Sequence, residues 1–319
     1  MPSTLLAKPA PAPLLTATQF HRLAAVPAEA EWFANLQNRH TREAYRRDVT
    51  SFMSFVGIRR SEDFRTITRA HVIAWRDTLA DKSAATVRRH LSALSSLMDY
   101  LCDQNAITHN PVNGVARPTE GANEGTTPAI SDAQARQLLK SPAADTLKGK
   151  RDRAILAVLL YHALRRSELC GLRVKDLAER RGVSSITVRG KRGKIRYVPV
   201  HPKAAALISD YLDASGHRDD RDRALFRPIK NALGTLEGHL TPGAIFSRVV
   251  RPYGQQIGIA VEGFGPHSLR TTAATNALEH DADLAKVQDW LGHANVSTTR
   301  LYDRRKMRPE ESPTFRVSY

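Results

Sequence analysis

The sequence predicts a mainly α-helical protein, with a helical first domain and a second, mixed but mostly helical domain that contains a β-hairpin. Apolar residues recur at helical spacing over most of the chain. A stretch rich in Pro, Gly, Thr and Asn interrupts this pattern at residues 111–130, and alternating β-forming residues flank a short glycine-containing turn between residues 184 and 200. A chain of 319 residues is long enough for two domains. It lacks the βαβ rhythm of a nucleotide-binding sheet.

The first predicted domain covers residues 31–117 and is helical throughout. Prolines among alanines make residues 1–30 a loose arm without regular structure. The first helix has Thr41 as a plausible N-cap and Gly57 just past its end. Its apolar face is formed by Tyr45, Val49, Phe52 and Val56. Two further apolar stripes, Val72 to Leu79 and Val87 to Leu101, predict a second and a third helix.

The second predicted domain covers residues 131–307, between a linker at 118–130 and a tail at 308–319. Ser131 and Gln134 have the spacing of a capping box and mark its first helix. The segments SSITVRG and IRYVPV predict two strands joined by the tight turn GKRGK. Helical patterns precede this hairpin and continue after it, so the hairpin is the predicted β-structure of the domain.

The chain is strongly basic, with 48 Lys and Arg against 32 Asp and Glu and a formal net charge of +16. Such an excess favours a polyanionic partner, most often nucleic acid. A membrane surface is the rival, but no run approaches the roughly 18 apolar residues of a membrane span. The two cysteines have no metal-ligand spacing, and the N-terminus lacks the pattern of a signal peptide, so we expect a soluble, cytoplasmic protein.

Basic side chains cluster on the first and third predicted helices of the first domain. A solvated surface would account for any one of them, but the cluster as a whole could pair with backbone phosphates and release counterions. The candidate DNA contacts are Arg42, Arg46, Arg47, Arg88 and Arg89. Lys194, at the tip of the hairpin in the second domain, is a further candidate.

Residues able to act on a phosphate are spread through the second domain. The sequence has no Walker loop, GxGxxG, HExxH or GxSxG, so nucleotide, metal and serine-hydrolase chemistry lose support. Arg165 lies between two predicted helices. Gly265 and Pro266 open a further predicted helix, and His267 and Arg270 lie on one face of its first turn, where both suit an anionic oxygen. Gly292 ends another predicted helix and exposes His293, and Tyr302 lies on a short helical segment after it. Taken singly, each of these residues could equally be structural.

Taken together, these segments resemble the tyrosine recombinase (phage integrase) family. The stretches LRRSELCGL, VRGK, HSLR and LGHANVSTTRLY match the boxes of the family in order and in spacing, over about residues 30–310. The chain departs from the family pattern at Ala163, Arg192 and Thr271, where the family often has Gly, Gly and His. The resemblance implies a helical core-binding (SAM-like) domain followed by a mixed, mostly helical catalytic domain.

The resemblance also implies an activity: cleavage and rejoining of duplex DNA through a 3′-phosphotyrosyl intermediate, with no ATP, metal or other cofactor. The implied catalytic residues are Arg165, Lys191, His267, Arg270, His293 and Tyr302. Tyr302 would be the nucleophile, and Lys191, favoured over Lys194 by its register, would be the general acid. The implied DNA carries inverted half-sites, on which members of the family act as tetramers.

The biological role stays open among related activities. The Arg-rich composition and the departures from the common boxes favour integration or excision of a mobile element. Xer-type resolution of chromosome or plasmid dimers is the alternative. A type IB topoisomerase-like enzyme and a catalytically inactive DNA-binding regulator would share much of the fold and charge, and no membrane partner is expected.

Overall fold

A computed structural model of the chain describes residues 28–119, 127–190, 193–230, 234–235 and 237–303. The contacts between Cα atoms divide the chain into two compact units, Met1–Ala122 and Asn123–Tyr319. The division falls inside the segment predicted as a linker, residues 118–130. Most of the predicted arm and the whole predicted tail lie outside the described residues. None of the described helices has the length and apolar composition needed to cross a membrane.

The described part of the first unit is helical. Its elements are α1 (Ala28–Asn35), α2 (Arg39–Val56), a 3₁₀ turn (Ser61–Thr66), α3 (Arg69–Asp77) and α4 (Ala84–Asp103). The three predicted apolar stripes fall on α2, α3 and α4, and their residues bury one shared core around Trp75, which is 1% exposed. Phe52 packs edge-on against the Trp75 ring, with 5.1 Å between the ring centroids. This core explains why three amphipathic helices form a stable unit.

The start of α2 differs from the sequence prediction. The Asn38 side chain accepts hydrogen bonds from the backbone N–H groups of His40 and Thr41, at 2.9 and 3.2 Å. Asn38 is therefore the N-cap, and the assignment of Thr41 to that position is wrong. The predicted end is confirmed, because Gly57 caps α2 with a left-handed φ of 78°, a conformation that favours glycine.

The second unit surrounds one central helix. Its helices are α5 (Asp132–Lys140), α6 (Leu147–His162), α7 (Arg166–Cys170), α8 (Pro202–Ser215), α9 (Pro242–Ile245), α10 (Arg251–Gln256), α11 (Pro266–Glu279), α12 (Leu284–Leu291) and α13 (Val296–Arg300), with a π-helical turn (Phe246–Val250) between α9 and α10. Every residue from Ala154 to Leu160 on α6 is buried. A helix buried on all sides can fix the positions of the elements that pack around it.

A small antiparallel sheet of order β1-β2-β3 completes the second unit. Its strands are β1 (Leu177–Arg180), β2 (Val183–Arg189) and β3 (Ile195–Pro199), and the two-residue strands β4 (Ile229–Lys230) and β5 (Gly234–Thr235) pair separately. The predicted hairpin is confirmed as β2 and β3, which pair Ile186 with Val198. Strand β1 was not predicted, because its four residues LAER carry no strand pattern. Ile130, the last residue of the predicted linker, is buried in the core of this unit.

Candidate active site

An open cleft of about 670 Å³ in the second unit brings three of the predicted catalytic residues together. Arg165 reaches it from the turn after α6, and His267 and Arg270 reach it from the first two turns of α11. The predicted start of α11 is confirmed, because Gly265 is its N-cap and Pro266 its first residue. None of the described residues that line the cleft is acidic. The cleft is therefore built for an anion.

Arg270 is the most buried cation of the site, with 1% of its surface exposed. Its guanidinium donates hydrogen bonds to the carbonyl oxygens of Ala163 and Leu291 and to Nε2 of His293, the last two at 2.7 and 2.9 Å. Its Nε has no partner among the described residues. Burial, followed by the nearby charge of Arg165, lowers the pKa of Arg270 to about 10. Among the residues that the structure describes, no carboxylate hydrogen-bonds this guanidinium, so its charge stays available to an anion.

The Ala163 carbonyl is presented to Arg270 by an unusual backbone conformation. Ala163 ends α6 with φ 50° and ψ 33°, in the left-handed region. That region costs a non-glycine residue roughly 1–2 kcal/mol. The resemblance to the family had marked this position as one where glycine is common, and the structure gives the physical reason. The turn places the carbonyl under Arg270 and starts the segment that carries Arg165.

Arg165 is held by a buried carboxylate that sequence reasoning did not single out. Glu168 accepts hydrogen bonds from the backbone N–H and the Nη1 of Arg165, both at 2.8 Å. It also accepts two from Arg196 on β3, at 2.9 and 2.8 Å. Burial alone would raise the pKa of Glu168, but the hydrogen bonds from Arg196 and Arg165 lower it to about 2. Glu168 is therefore ionised and fixes two guanidinium groups at once.

Arg196 joins three elements and was also missed. Besides its two bonds to Glu168 on α7, its Nε donates to the carbonyl oxygen of Trp290, at 3.1 Å, near the end of α12. A signal for it is present in the sequence: Arg196 lies between Ile195 and Tyr197 on β3, which are both exposed, so its own side chain faces inward. A charged residue at an inward strand position needs a buried partner.

His293 and Tyr302 follow α12, which ends at Gly292 as predicted. Because His293 Nε2 accepts a hydrogen bond from Arg270, the ring proton lies on Nδ1, which donates to Thr299 Oγ1 at 2.9 Å. Burial, followed by the charges of Arg270 and Arg165, lowers the pKa of His293 to about 4. This imidazole is therefore neutral at pH 7.

Tyr302 stacks on the imidazole of His293, with 5.9 Å between the ring centroids. It lies in the turn just after α13, and not within that helix as the sequence suggested. Its side chain is 5% exposed and packs in an apolar cluster with Ala163 and Leu291, two residues whose carbonyl oxygens accept from Arg270. Through His293, Tyr302 is therefore two contacts away from the most buried cation of the cleft.

The described part of the β2–β3 hairpin ends near the Arg165–Glu168 pair. Lys191 and Arg192 lie outside the described residues. The preceding residue, Gly190, donates its N–H to the Lys194 carbonyl at 2.7 Å and closes the base of the hairpin. A Cβ on Gly190 would lie 3.9 Å from Oε1 of Glu168. Gly190 therefore lies beside the Arg165–Glu168 pair, and Lys194 is exposed.

Several predicted DNA contacts of the first unit have partners within that unit. Arg42 donates to the Leu36 carbonyl at 2.6 Å and so closes the end of α1. Arg46 lies over the Phe33 ring at 4.7 Å, and Arg89 pairs with Asp48, which is buried. Arg47 and Arg88 are exposed, and Arg88 also donates to the Pro118 carbonyl, at 3.4 Å. Contact with DNA stays a prediction for all five residues and for Lys194.

Comparison with known proteins places both units in one family. The phage integrase family matches residues 129–308, and the phage integrase N-terminal SAM-like domain matches residues 31–105. The chain is 33% identical over 271 residues to the tyrosine recombinase XerC of Thermodesulfovibrio yellowstonii, covering 82% of this chain and 85% of that protein. It is 32% identical over 269 residues to the tyrosine recombinase XerD of Lacticaseibacillus casei, covering 83% and 87%.

The fold is shared with a solved recombinase structure. The XerH site-specific recombinase bound to a palindromic difH substrate superposes with a TM-score of 0.68, at 21% identity, over 82% of this chain and 75% of that one. The predicted fold class is confirmed: a SAM-like helical domain and a mostly helical second domain with a small sheet. The chain belongs to the phage integrase family of tyrosine recombinases, enzymes that cleave and rejoin DNA through a tyrosine intermediate.

Proposed function

We propose that this chain is a Xer-type recombinase, which exchanges strands between two duplex sites and so resolves dimeric circular DNA. The proposal is supported by its relatives, since proteins named XerC and XerD align with more than four fifths of the chain. Those names favour dimer resolution over the integration or excision of a mobile element, the role that composition had favoured. The mobile-element role becomes an outcome of the experiment below.

The chemistry rests on one observation, the buried guanidinium of Arg270 in a cleft without acidic lining. A phosphodiester resists attack because negative charge builds on its equatorial oxygens in the transition state. Donors that are already held in place stabilise that charge without having to reorganise. Arg165 is fixed by Glu168 and Arg270 by two carbonyl oxygens, so these two residues would bind the non-bridging oxygens of the scissile phosphate.

The proposed reaction exchanges one phosphate ester for another. The Tyr302 oxygen bonds to phosphorus, and the bond from phosphorus to the 5′ oxygen breaks, which leaves a 3′-phosphotyrosyl bond and a free 5′-hydroxyl. The phenol proton passes to a histidine, His267 or His293. Lys191 donates a proton to the leaving oxygen. Because the new ester retains the energy of the broken bond, rejoining needs neither ATP nor a metal ion.

Trapping on a nicked suicide duplex tests the nucleophile and the two arginines. Wild-type protein is expected to form a covalent adduct that survives denaturing electrophoresis, and Tyr302→Phe to form none. Arg165→Ala and Arg270→Ala are each expected to slow adduct formation by about 10²- to 10³-fold, because each removes one transition-state donor, while duplex binding persists. An undiminished adduct with Tyr302→Phe, or near-wild-type cleavage by either arginine variant, would refute the assignment.

A modified leaving group separates Lys191 from Lys194. A duplex with sulfur in place of the 5′ bridging oxygen releases a thiol, which needs little help from an acid because its pKa is near 8.5. Lys191→Ala is expected to cleave ordinary DNA slowly and the sulfur-containing duplex at close to the wild-type rate. The matched variant Lys194→Ala is expected to show no such rescue. The reverse result would make Lys194 the acid.

A supercoiled plasmid with two directly repeated sites, each made of inverted half-sites around an asymmetric spacer, tests the biological role. Recombination is expected to yield two smaller circles from direct repeats, and the protein–DNA complex to contain four protomers by analytical ultracentrifugation. Sites drawn from the DNA beside the gene form the second arm. Recombination in that arm alone would favour the mobile-element role. Relaxation of supercoils without recombinant circles would show a topoisomerase-like enzyme instead.

A further inference from the structure

The cleft contains residues that the proposed contacts with the scissile phosphate leave unused. Arg166 and Ser167 line it next to Arg165, and the half-buried rings of Phe246 and Phe264 line it beside the start of α11. The volume of about 670 Å³ is in the range of pockets that hold drug-sized ligands, and it is larger than one phosphate group needs. The cleft therefore has room for a sugar and a base edge as well.

The guanidinium of Arg166 differs from the other three guanidinium groups of the site because no described residue binds it. Arg165 and Arg196 bind Glu168, and Arg270 binds two carbonyl oxygens and His293. Within the described residues, Arg166 makes no hydrogen bond or ion pair, and its side chain is exposed. Its charge reaches the cleft only weakly: it is the last and smallest of the causes, after burial, Arg270 and Arg165, that lower the pKa of His267. Arg166 thus faces the cleft with all its donors free.

The two aromatic rings pack against glycines of the same unit. A Cβ on Gly254 would lie 2.4 Å from Cε1 of Phe264, so the ring fills a space that only glycine leaves open. A Cβ on Gly265 would meet the Phe246 ring at 3.5 Å, which places that ring against the N-cap of α11. Rigid apolar rings beside a free guanidinium suit a nucleotide, which presents a charged phosphate next to a deoxyribose and a base.

We propose that Arg166, Phe246 and Phe264 form a subsite for the nucleotide that adjoins the scissile phosphate, with Arg166 binding the phosphate of that nucleotide. The proposal rests on the proposed function, because it requires the scissile phosphate to lie at Arg165 and Arg270. The charge of the neighbouring phosphate does not change during the reaction. Arg166 therefore stabilises the bound DNA and the transition state equally, and it tightens binding without changing the rate at saturation.

Salt-dependent binding tests the phosphate contact. For Arg166→Gln, the slope of log K against log salt is expected to fall by about 1, the value for one lost phosphate contact. The first-order rate of adduct formation at saturating suicide duplex is expected to equal that of the wild type. Arg136→Gln is the matched control: Arg136 is an exposed arginine of the same unit whose Nε donates to the Asp132 carbonyl. The salt slope of Arg136→Gln is expected to differ from that of the wild type by less than the slope of Arg166→Gln does.

Duplexes with one neutral methylphosphonate, placed in turn on each phosphate beside the scissile one, locate the contact. Wild-type protein is expected to lose about tenfold in affinity at one of these positions, the lower end for a hydrogen bond to a charged group. Arg166→Gln is expected to lose no further affinity at that position, and to match the wild type at the others. Arg166→Lys, which keeps the charge, is expected to recover part of the salt slope.

The outcomes separate this proposal from the proposed function. If wild-type protein forms no covalent adduct, the proposed function fails. The subsite fails and the proposed function stands under a second outcome. In that outcome the adduct forms, Arg166→Gln keeps the wild-type salt slope, and the variant loses affinity at the same methylphosphonate positions as the wild type. A lower adduct rate at saturation with an unchanged slope would also overturn the proposal, because it would place Arg166 on the scissile phosphate.

Discussion

Replacing Arg196 by methionine tests the buried pair that fixes Arg165. The Arg196→Met variant removes two hydrogen bonds to Glu168 and one to the Trp290 carbonyl, and it keeps an apolar side chain of similar length. Glu168 is then left buried as an anion with Arg165 as its remaining charged partner. A buried charge that loses a partner in this way is strongly destabilising.

The magnitude follows from the pKa of Glu168. All its hydrogen-bond partners together lower that pKa from an ordinary 4.5 to about 2. Since one pKa unit corresponds to about 1.4 kcal/mol, the carboxylate is stabilised by about 3 kcal/mol. Removing one partner of a buried pair typically costs 3–5 kcal/mol, so we expect Arg196→Met to lower the free energy of unfolding by roughly 3 kcal/mol. That is a large part of the ~5–15 kcal/mol of a typical domain.

Urea unfolding at pH 7 measures this loss, and a double-mutant cycle assigns it. Glu168→Gln in the Arg196→Met background removes the buried charge that has lost one of its two partners, so the two changes together are expected to cost at least about 2 kcal/mol less than their sum. Glu168 stabilises the fold above pH 4.5, and this contribution is lost as the pH falls toward 2. The difference between Arg196→Met and wild type should therefore narrow over that range. A loss below about 1 kcal/mol, or additive costs, would refute the reasoning.

Two further predictions concern acid stability and packing. Burial lowers the pKa values of His162 and His293 to about 4, so the unfolded chain takes up protons first as the pH falls from 6.5 to 4. The free energy of unfolding should fall over that range by up to about 1.4 kcal/mol per pH unit for each of these two histidines. Urea unfolding of His162→Gln should show a slope smaller than that of the wild type by up to this amount, and an unchanged slope would contradict the reasoning. Gly254→Ala should cost about 1–3 kcal/mol by calorimetry, because the new Cβ would meet the Phe264 ring. Phe264→Leu in the same chain should recover part of that loss, and an unchanged Tm of Gly254→Ala would show that the ring has room to move.

The elements that the sequence predicted well are those whose signals are local. The helix that carries His267 and Arg270 was predicted because Gly265 and Pro266 start it, and both residues fix the backbone before any tertiary contact forms. The end of α12 was predicted for the same reason, since Gly292 is in the left-handed region. Asn38 and Thr41 both lie near the start of α2, and both residue types are common N-caps. The sequence alone does not show which of the two caps the helix, so the prediction of Thr41 was wrong and Asn38 is the N-cap.

Strand β1 and the Glu168–Arg196 pair could not be found in this way. The four residues of β1 form a strand because β2 offers its edge, with Leu177 opposite Ile186, and not because of their own propensity. Glu168 and Arg196 are 28 positions apart, and no sequence motif around either residue identifies the other as its partner. Only the inward position of Arg196 on a predicted strand signals that it needs a buried partner.

Arg270 shows why a local pattern and a complete site differ. Its spacing from His267 predicted a pair of donors on one helix face. The spacing did not predict that Arg270 would be only 1% exposed. It also did not predict the two carbonyl oxygens that hold the guanidinium, those of Ala163, 107 positions earlier, and Leu291, 21 positions later. Carbonyl oxygens satisfy N–H groups without cancelling the charge, and the Nε is left without a partner. A buried cation in this state is costly until an anion arrives. The same arrangement that lowers the stability of the free protein is therefore what makes the cleft a strong phosphate site.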